Sequence, residues 1–130
     1  MATSSLPEIT YLPAFLVDCQ ELFAQLCHET VWDERMYSRR TASFGVAYNY
    51  SGIFYPNVTM PPAIAVLAAR VAAQVSHPID NCLANLYADG SQTMGFHNSD
   101  ATAELVAGST VSVLSLGAAR TLTFRRKAQR

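Results

Sequence analysis

A chain of 130 residues, half of them hydrophobic, is the size of one ordinary domain and carries enough apolar material for a packed core. A net charge of −1 argues against a broad nucleic-acid-binding surface, and no apolar run reaches the roughly 18 residues of a membrane span. Cys19, Cys27 and Cys82 are odd in number and include no C-x-x-C pair, so neither a disulfide framework nor a thiolate zinc site is indicated, and with no signal-peptide pattern at the N-terminus the default location is cytoplasmic.

From Pro13 to Thr30, Phe15, Leu16, Cys19, Leu22, Phe23 and Leu26 recur at three and four residues, which predicts a helix with one face against a sheet. Between Arg40 and Tyr55 the pattern changes. Phe44, Val46, Tyr48 and Tyr50 alternate and Ser51-Gly52 breaks the run, predicting strand, turn and strand, with the tyrosines as candidates for substrate contact. A second helix is expected to open at Met60-Pro61-Pro62, where proline suits a first turn. Ile64, Leu67, Ala68, Val71 and Val75 form its buried stripe, and it ends near Ser76-His77-Pro78. Cys82 to Tyr87 reads as a strand, Ala88-Asp89-Gly90-Ser91 as a turn and Thr93 to His97 as another strand. Val111 to Leu116 and Thr121 to Arg125 flank Gly117-Ala118-Ala119 as a further hairpin. Helices early and strands late imply an α+β domain whose sheet carries the site.

Charge is unevenly spread. Arg120, Arg125, Arg126, Lys127 and Arg130 place five of the nine basic residues in the last eleven positions, and Arg35, Arg39 and Arg40 form a second group. Such clusters suit phosphates, and they equally suit a solvated strand end and a frayed tail. Of the three histidines, His28 and His77 fall at a helix end and in a loop before proline. His97 ends a predicted strand and has Asp100 three residues on; a histidine and a carboxylate at a strand end can supply two ligands of a 2-His-1-carboxylate iron(II) site.

The surroundings of His97 are more specific than the pair itself. Asn85-Leu86-Tyr87, Asp89-Gly90, Met94-Gly95-Phe96-His97, Glu104-Leu105, Gly108-Ser109 and Ser115-Leu116-Gly117-Ala118-Ala119-Arg120 follow one another in an order that resembles the core of the AlkB-type iron(II)/2-oxoglutarate dioxygenases. Upstream, Arg39-Arg40-Thr41-Ala42-Ser43-Phe44-Gly45 and Tyr48-Asn49-Tyr50-Ser51-Gly52 resemble the family's substrate-lid region. The resemblance implies a double-stranded β-helix, or jelly-roll, core binding iron(II) and 2-oxoglutarate, with residues 1–60 a helix plus the lid-like hairpin and residues 61–130 a helix plus the first half of the β core. It implies oxidation of N-linked methyl groups on alkylated nucleobases of DNA or RNA, the hydroxylated methyl leaving as formaldehyde. His97 is then the first iron ligand, and Asn85 and Tyr87 hydrogen-bond 2-oxoglutarate. A flipped-out base would be bordered by Tyr48 and Tyr50, with Arg39 and Arg40 near the phosphates.

The chain departs from the family pattern in two places. The family has one residue between ligand histidine and ligand aspartate, whereas Asn98 and Ser99 both separate His97 from Asp100. Because Glu104-Leu105 and Gly108-Ser109 also lie one place late, an inserted residue is expected and Asp100, rather than Ser99, takes the carboxylate role, brought round by a bulge or turn. The family's second iron histidine and its 2-oxoglutarate arginine lie further downstream than Arg130, so the chain is expected to be C-terminally truncated relative to the family. The alternative to a demethylase is a catalytically inactive remnant that binds nucleic acid or a protein partner; an oxygenase of the same superfamily acting on protein or a small molecule is a third reading.

Overall fold

The computed structural model describes residues 9–50, 52–95 and 111–125, and for residues 48–50 the backbone. In chain order these form α1 (Gln20–Glu29), β1 (Arg40–Gly45), β2 (Tyr48–Tyr50), β3 (Ile53–Tyr55), α2 (Pro62–Val75) and β4 (Asn81–Leu86). The architecture is α+β. β1 and β4 pair antiparallel, from Arg40 opposite Leu86 to Gly45 opposite Asn81, and β2 and β3 form an antiparallel hairpin with Tyr48 opposite Tyr55. Among the described residues no helix is long and apolar enough to cross a membrane.

β1 is held along both edges. On the side away from β4, Asp33 and Thr41 exchange backbone hydrogen bonds of 2.7 and 3.0 Å, and Gly45 and Val58 exchange another pair. Strand alternation then gives the β1–β4 pair two unlike faces. Ala42 and Phe44 pack with Ile64 of α2 to form the core, with Leu26, Trp32, Met60, Cys82 and Ala84 around them. The other face carries Thr41, Ser43, Asn81 and Asn85, with Leu83 opposite Ser43. At its far end Gly45 turns the chain at φ +88°, where an added Cβ would lie 2.1 Å from the Asp80 carbonyl oxygen, so the position requires glycine.

α2 matches its expected span, and of its expected stripe Ile64 is buried while Leu67, Ala68, Val71 and Val75 are half-buried. Proline occupies its first turn, Ile64 is buried, and Ser76 closes it in the left-handed conformation, with the His77 amide bonded to the Ala72 carbonyl at 3.2 Å. α1 is shorter than the apolar spacing predicts. Ala14 and Asp18 adopt φ of 56° and 50°, which no helix accommodates, so residues 13–18 form turns and the helix begins at Gln20. The apolar side chains of that segment find another use: Arg70 of α2 lies 5.0 Å from the Phe15 ring centroid and donates to the Phe15 carbonyl at 3.1 Å.

The strand expected from Thr93 is not formed over residues 93–95; Phe96 and His97 lie outside the described residues. The hairpin expected over Val111–Leu116 and Thr121–Arg125 is corrected in the same way. Its turn exists, with Gly117 at φ +85°, yet neither arm is a strand, because among the described residues no backbone lies alongside to complete a ladder.

Candidate cofactor-binding strand

The polar face of the β1–β4 pair gathers the residues with the most chemistry. Thr41 sits opposite Asn85 in the ladder and is fully buried, its Oγ1 2.7 Å from the Tyr55 hydroxyl. One step toward the N-terminal end of β1, Arg39 is 5% exposed. Its Nε donates to Asn85 Oδ1 at 2.9 Å and its Nη1 to Ser38 Oγ at 3.0 Å. Extending the ladder by one rung places Tyr87 opposite Arg39, and Arg120 lies over the Tyr87 ring at 5.4 Å from its centroid. Arg120 is tied down by a 2.7 Å bond from Nη1 to the Gln92 carbonyl, while the Gln92 side chain accepts from the Ala88 amide at 2.6 Å.

Asn85 lies near the end of β4 and Tyr87 directly follows it, with Arg39 donating to Asn85 and Arg120 over the Tyr87 ring. Arg39 and Arg40 are separated, because adjacent residues of an extended strand point to opposite faces. Arg39 is buried toward Asn85, whereas Arg40 is exposed and pairs with Glu34 at 3.2 Å. Tyr48 and Tyr50 lie in β2, in register with Tyr55 and Ile53. His97 and Asp100 lie outside the described residues, and among the described residues no three His, Cys, Asp or Glu side chains gather in a way that would hold a metal.

Arg120 and Thr41 were missed as site residues. The alternation of Thr41 and Ser43 against Ala42 and Phe44 was the available signal for Arg39 and Thr41, since it puts residues 39, 41 and 43 on one face. For Arg120 the only pointer was its place at the end of the Ser-Leu-Gly-Ala-Ala-Arg segment.

Electrostatics separate the rim of the site from the core. Hydrogen bonds from the Ser91 hydroxyl and amide hold the Asp89 carboxyl below the usual carboxylate range, and Arg120 adds a smaller effect of the same sign. Asp33 is likewise held low, by Arg35. Burial pushes the Cys82 thiol up on the apolar face, which leaves it protonated and unreactive near neutrality. The donor set around Asn85 consists of an amide NH2, a phenol and two guanidinium groups. It suits a dicarboxylate, which offers only acceptors.

The comparisons with known proteins show the family of the chain. Residues 16–130 match the 2OG-Fe(II) oxygenase superfamily, and the chain belongs to it. Within the superfamily it is AlkB-like. It is 26% identical over 140 residues to the alpha-ketoglutarate-dependent dioxygenase alkB homolog 3 of Bos taurus, an alignment covering 98% of this chain and 49% of the relative. The Homo sapiens counterpart is 28% identical with the same coverage. The DNA oxidative demethylase ALKBH2 of Mus musculus is 32% identical over 95 residues, covering 71% of this chain and 39% of that protein. The chain spans about half the length of the alkB homolog 3 relatives it matches.

Proposed function

We propose that this chain forms the 2-oxoglutarate-binding part of an iron(II) dioxygenase of jelly-roll architecture that removes alkyl groups from nucleobases oxidatively. The observation that carries the reading is that, at one end of β4, Asn85 accepts from Arg39 and the Tyr87 ring lies under Arg120. Asn85 presents its amide NH2, Tyr87 its hydroxyl, and the two cations favour a dianionic ligand there. His97 and Asp100 follow β4 in sequence and are the proposed ligands of iron(II), whose imidazole and carboxylate donors suit that ion. Bound iron(II) and 2-oxoglutarate would supply the oxidising chemistry, while the protein orients the co-substrate and keeps water from it.

For the nucleic acid, Tyr48 and Tyr50 of the β2–β3 hairpin are the proposed border of an extruded base, and exposed Arg40 a phosphate contact. The relatives, one of them named a DNA oxidative demethylase, support this choice of substrate class. The test is calorimetric titration of 2-oxoglutarate into the protein with Mn(II), a redox-inert stand-in for iron(II), followed by iron(II) turnover with an N-methylated oligonucleotide. Saturable binding that Asn85→Ala weakens, with succinate and formaldehyde released in equal amounts, is expected. Absence of 2-oxoglutarate binding by the unaltered protein would overturn the reading. Oligonucleotide binding without metal and without turnover would point instead to a binding module.

A further inference from the structure

Resting on the reading of Asn85 as a 2-oxoglutarate donor, we infer that Arg39 is a positioning residue that fixes which end of the Asn85 amide meets the co-substrate. An asparagine side chain carries an acceptor oxygen and a donor NH2 of nearly the same shape, and rotation about its terminal torsion exchanges them. To a carboxylate or keto oxygen the two orientations are opposite: one donates and the other repels. An arginine has donors and no acceptor, so it can meet only the oxygen end. With Nε on Asn85 Oδ1 at 2.9 Å, Arg39 leaves the NH2 end as the one available to a ligand.

Two further observations make this a rigid device. Arg39 is itself held, at 5% exposure, by the 3.0 Å bond from Nη1 to Ser38, so the fork has one geometry. Beneath it, Thr41 is fully buried and stands opposite Asn85 in the antiparallel β1–β4 ladder, whose register from Arg40–Leu86 to Gly45–Asn81 fixes where Asn85 sits along β1. A lysine at position 39 keeps the charge and loses the planar fork, which separates positioning from simple attraction of an anion.

The experiment uses isotope-labelled protein and two readouts. Without any cofactor, the side-chain amide signal of Asn85, assigned by its disappearance in Asn85→Asp, is expected to be shifted away from the free-amide position and to move to it in Arg39→Lys. In calorimetric titration with 2-oxoglutarate and Mn(II), Arg39→Lys is expected to weaken 2-oxoglutarate binding roughly tenfold, the scale of one hydrogen bond to a charged group, with Mn(II) affinity unchanged. In an Asn85→Ala background the same substitution should have no further effect. An unmoved amide signal, unchanged 2-oxoglutarate affinity, or an equal loss in the Asn85→Ala background would each overturn the inference. If the unaltered protein does not bind 2-oxoglutarate, the functional reading falls and takes the ligand-facing role of Arg39 with it, while the cofactor-free amide signal still decides the pairing. Should Arg39→Lys fail to fold, Asn85→Asp provides a second route. Its carboxylate keeps a partner in Arg39, so the melting temperature should not drop, yet it has no donor for the co-substrate and binding should disappear; wild-type binding by that variant would refute the role.

Discussion

The β1 strand and the segment from Val111 to Arg125 have similar alternating sequences and unlike structures. In β1, Arg-Thr-Ala-Ser-Phe is laddered on both edges, and four consecutive residues, Thr41 to Phe44, are buried. In the later segment Val111, Val113, Leu122 and Phe124 alternate in the same way, yet each is more than half exposed, with Val113 at 67%. Alternation marks a chain able to be a strand, whereas a strand forms only where backbone partners lie alongside. In the later segment Arg120 lies over the Tyr87 ring and donates to the Gln92 carbonyl, and the Phe23 ring lies close to Gly117.

The largest effect should come from emptying the β1 core. Phe44→Ala is expected to cost about 3–5 kcal/mol in denaturant unfolding, whereas Val113→Ala should change stability by no more than about 0.5 kcal/mol. Equal losses at the two sites would erase the contrast. Next come two of the three described glycines with positive φ, Gly45 and Gly117. Gly45→Ala places a methyl against the Asp80 backbone, which cannot move without breaking the strand end, and should cost about 3 kcal/mol or more. Gly117→Ala meets the edge of the Phe23 ring at 2.8 Å, a side chain able to rotate aside, so only the backbone penalty of about 1 kcal/mol is expected by thermal denaturation.

Removing the buried hydroxyl pair comes third. Thr41→Val leaves the Tyr55 hydroxyl without its 2.7 Å partner and should destabilise by about 1–3 kcal/mol, and adding Tyr55→Phe should recover much of that. A double-mutant cycle read by urea unfolding checks it; independent, additive losses would show that the bond is not formed in solution. The smallest effect is on the Asp89 turn. Its carboxyl is held below its ordinary value, so its contribution is present above the unfolded carboxylate pKa, about 4, and is lost as pH falls through the lower folded value. Amide exchange at Ser91 should accelerate relative to β1 over that acidic window, and Asp89→Asn should remove the pH dependence.

Much of the architecture near the site could be read from local rules. α2 follows from Pro61-Pro62 and the Ile64 stripe, β4 from Cys82 to Tyr87, and the turn from Asp89-Gly90, whose Asp89 side chain accepts the Ser91 amide at 2.8 Å. The first half of the expected α1 could not be read this way, since left-handed conformations at Ala14 and Asp18 are imposed by their surroundings rather than by residue type. The arms around Gly117 failed because their expectation rested on pattern without a partner. For the candidate site, Asn85 and Tyr87 were identified by motif order, while Arg39 was placed on the nucleic-acid side because two adjacent arginines resemble a surface cluster. Only the register of β1 against β4 reveals that the first of the two belongs to Asn85.

Thr41 serves two structures at once, and this limits what evolution or a protein engineer can put there. Its hydroxyl anchors the hairpin through Tyr55, and its backbone, opposite Asn85, holds the Asp33 segment along the other edge of β1. Valine would preserve the strand preference and forfeit the hydroxyl, and serine would do the reverse. Position 41 therefore has a mutational tolerance close to one residue type, and a library randomised there should return threonine almost alone.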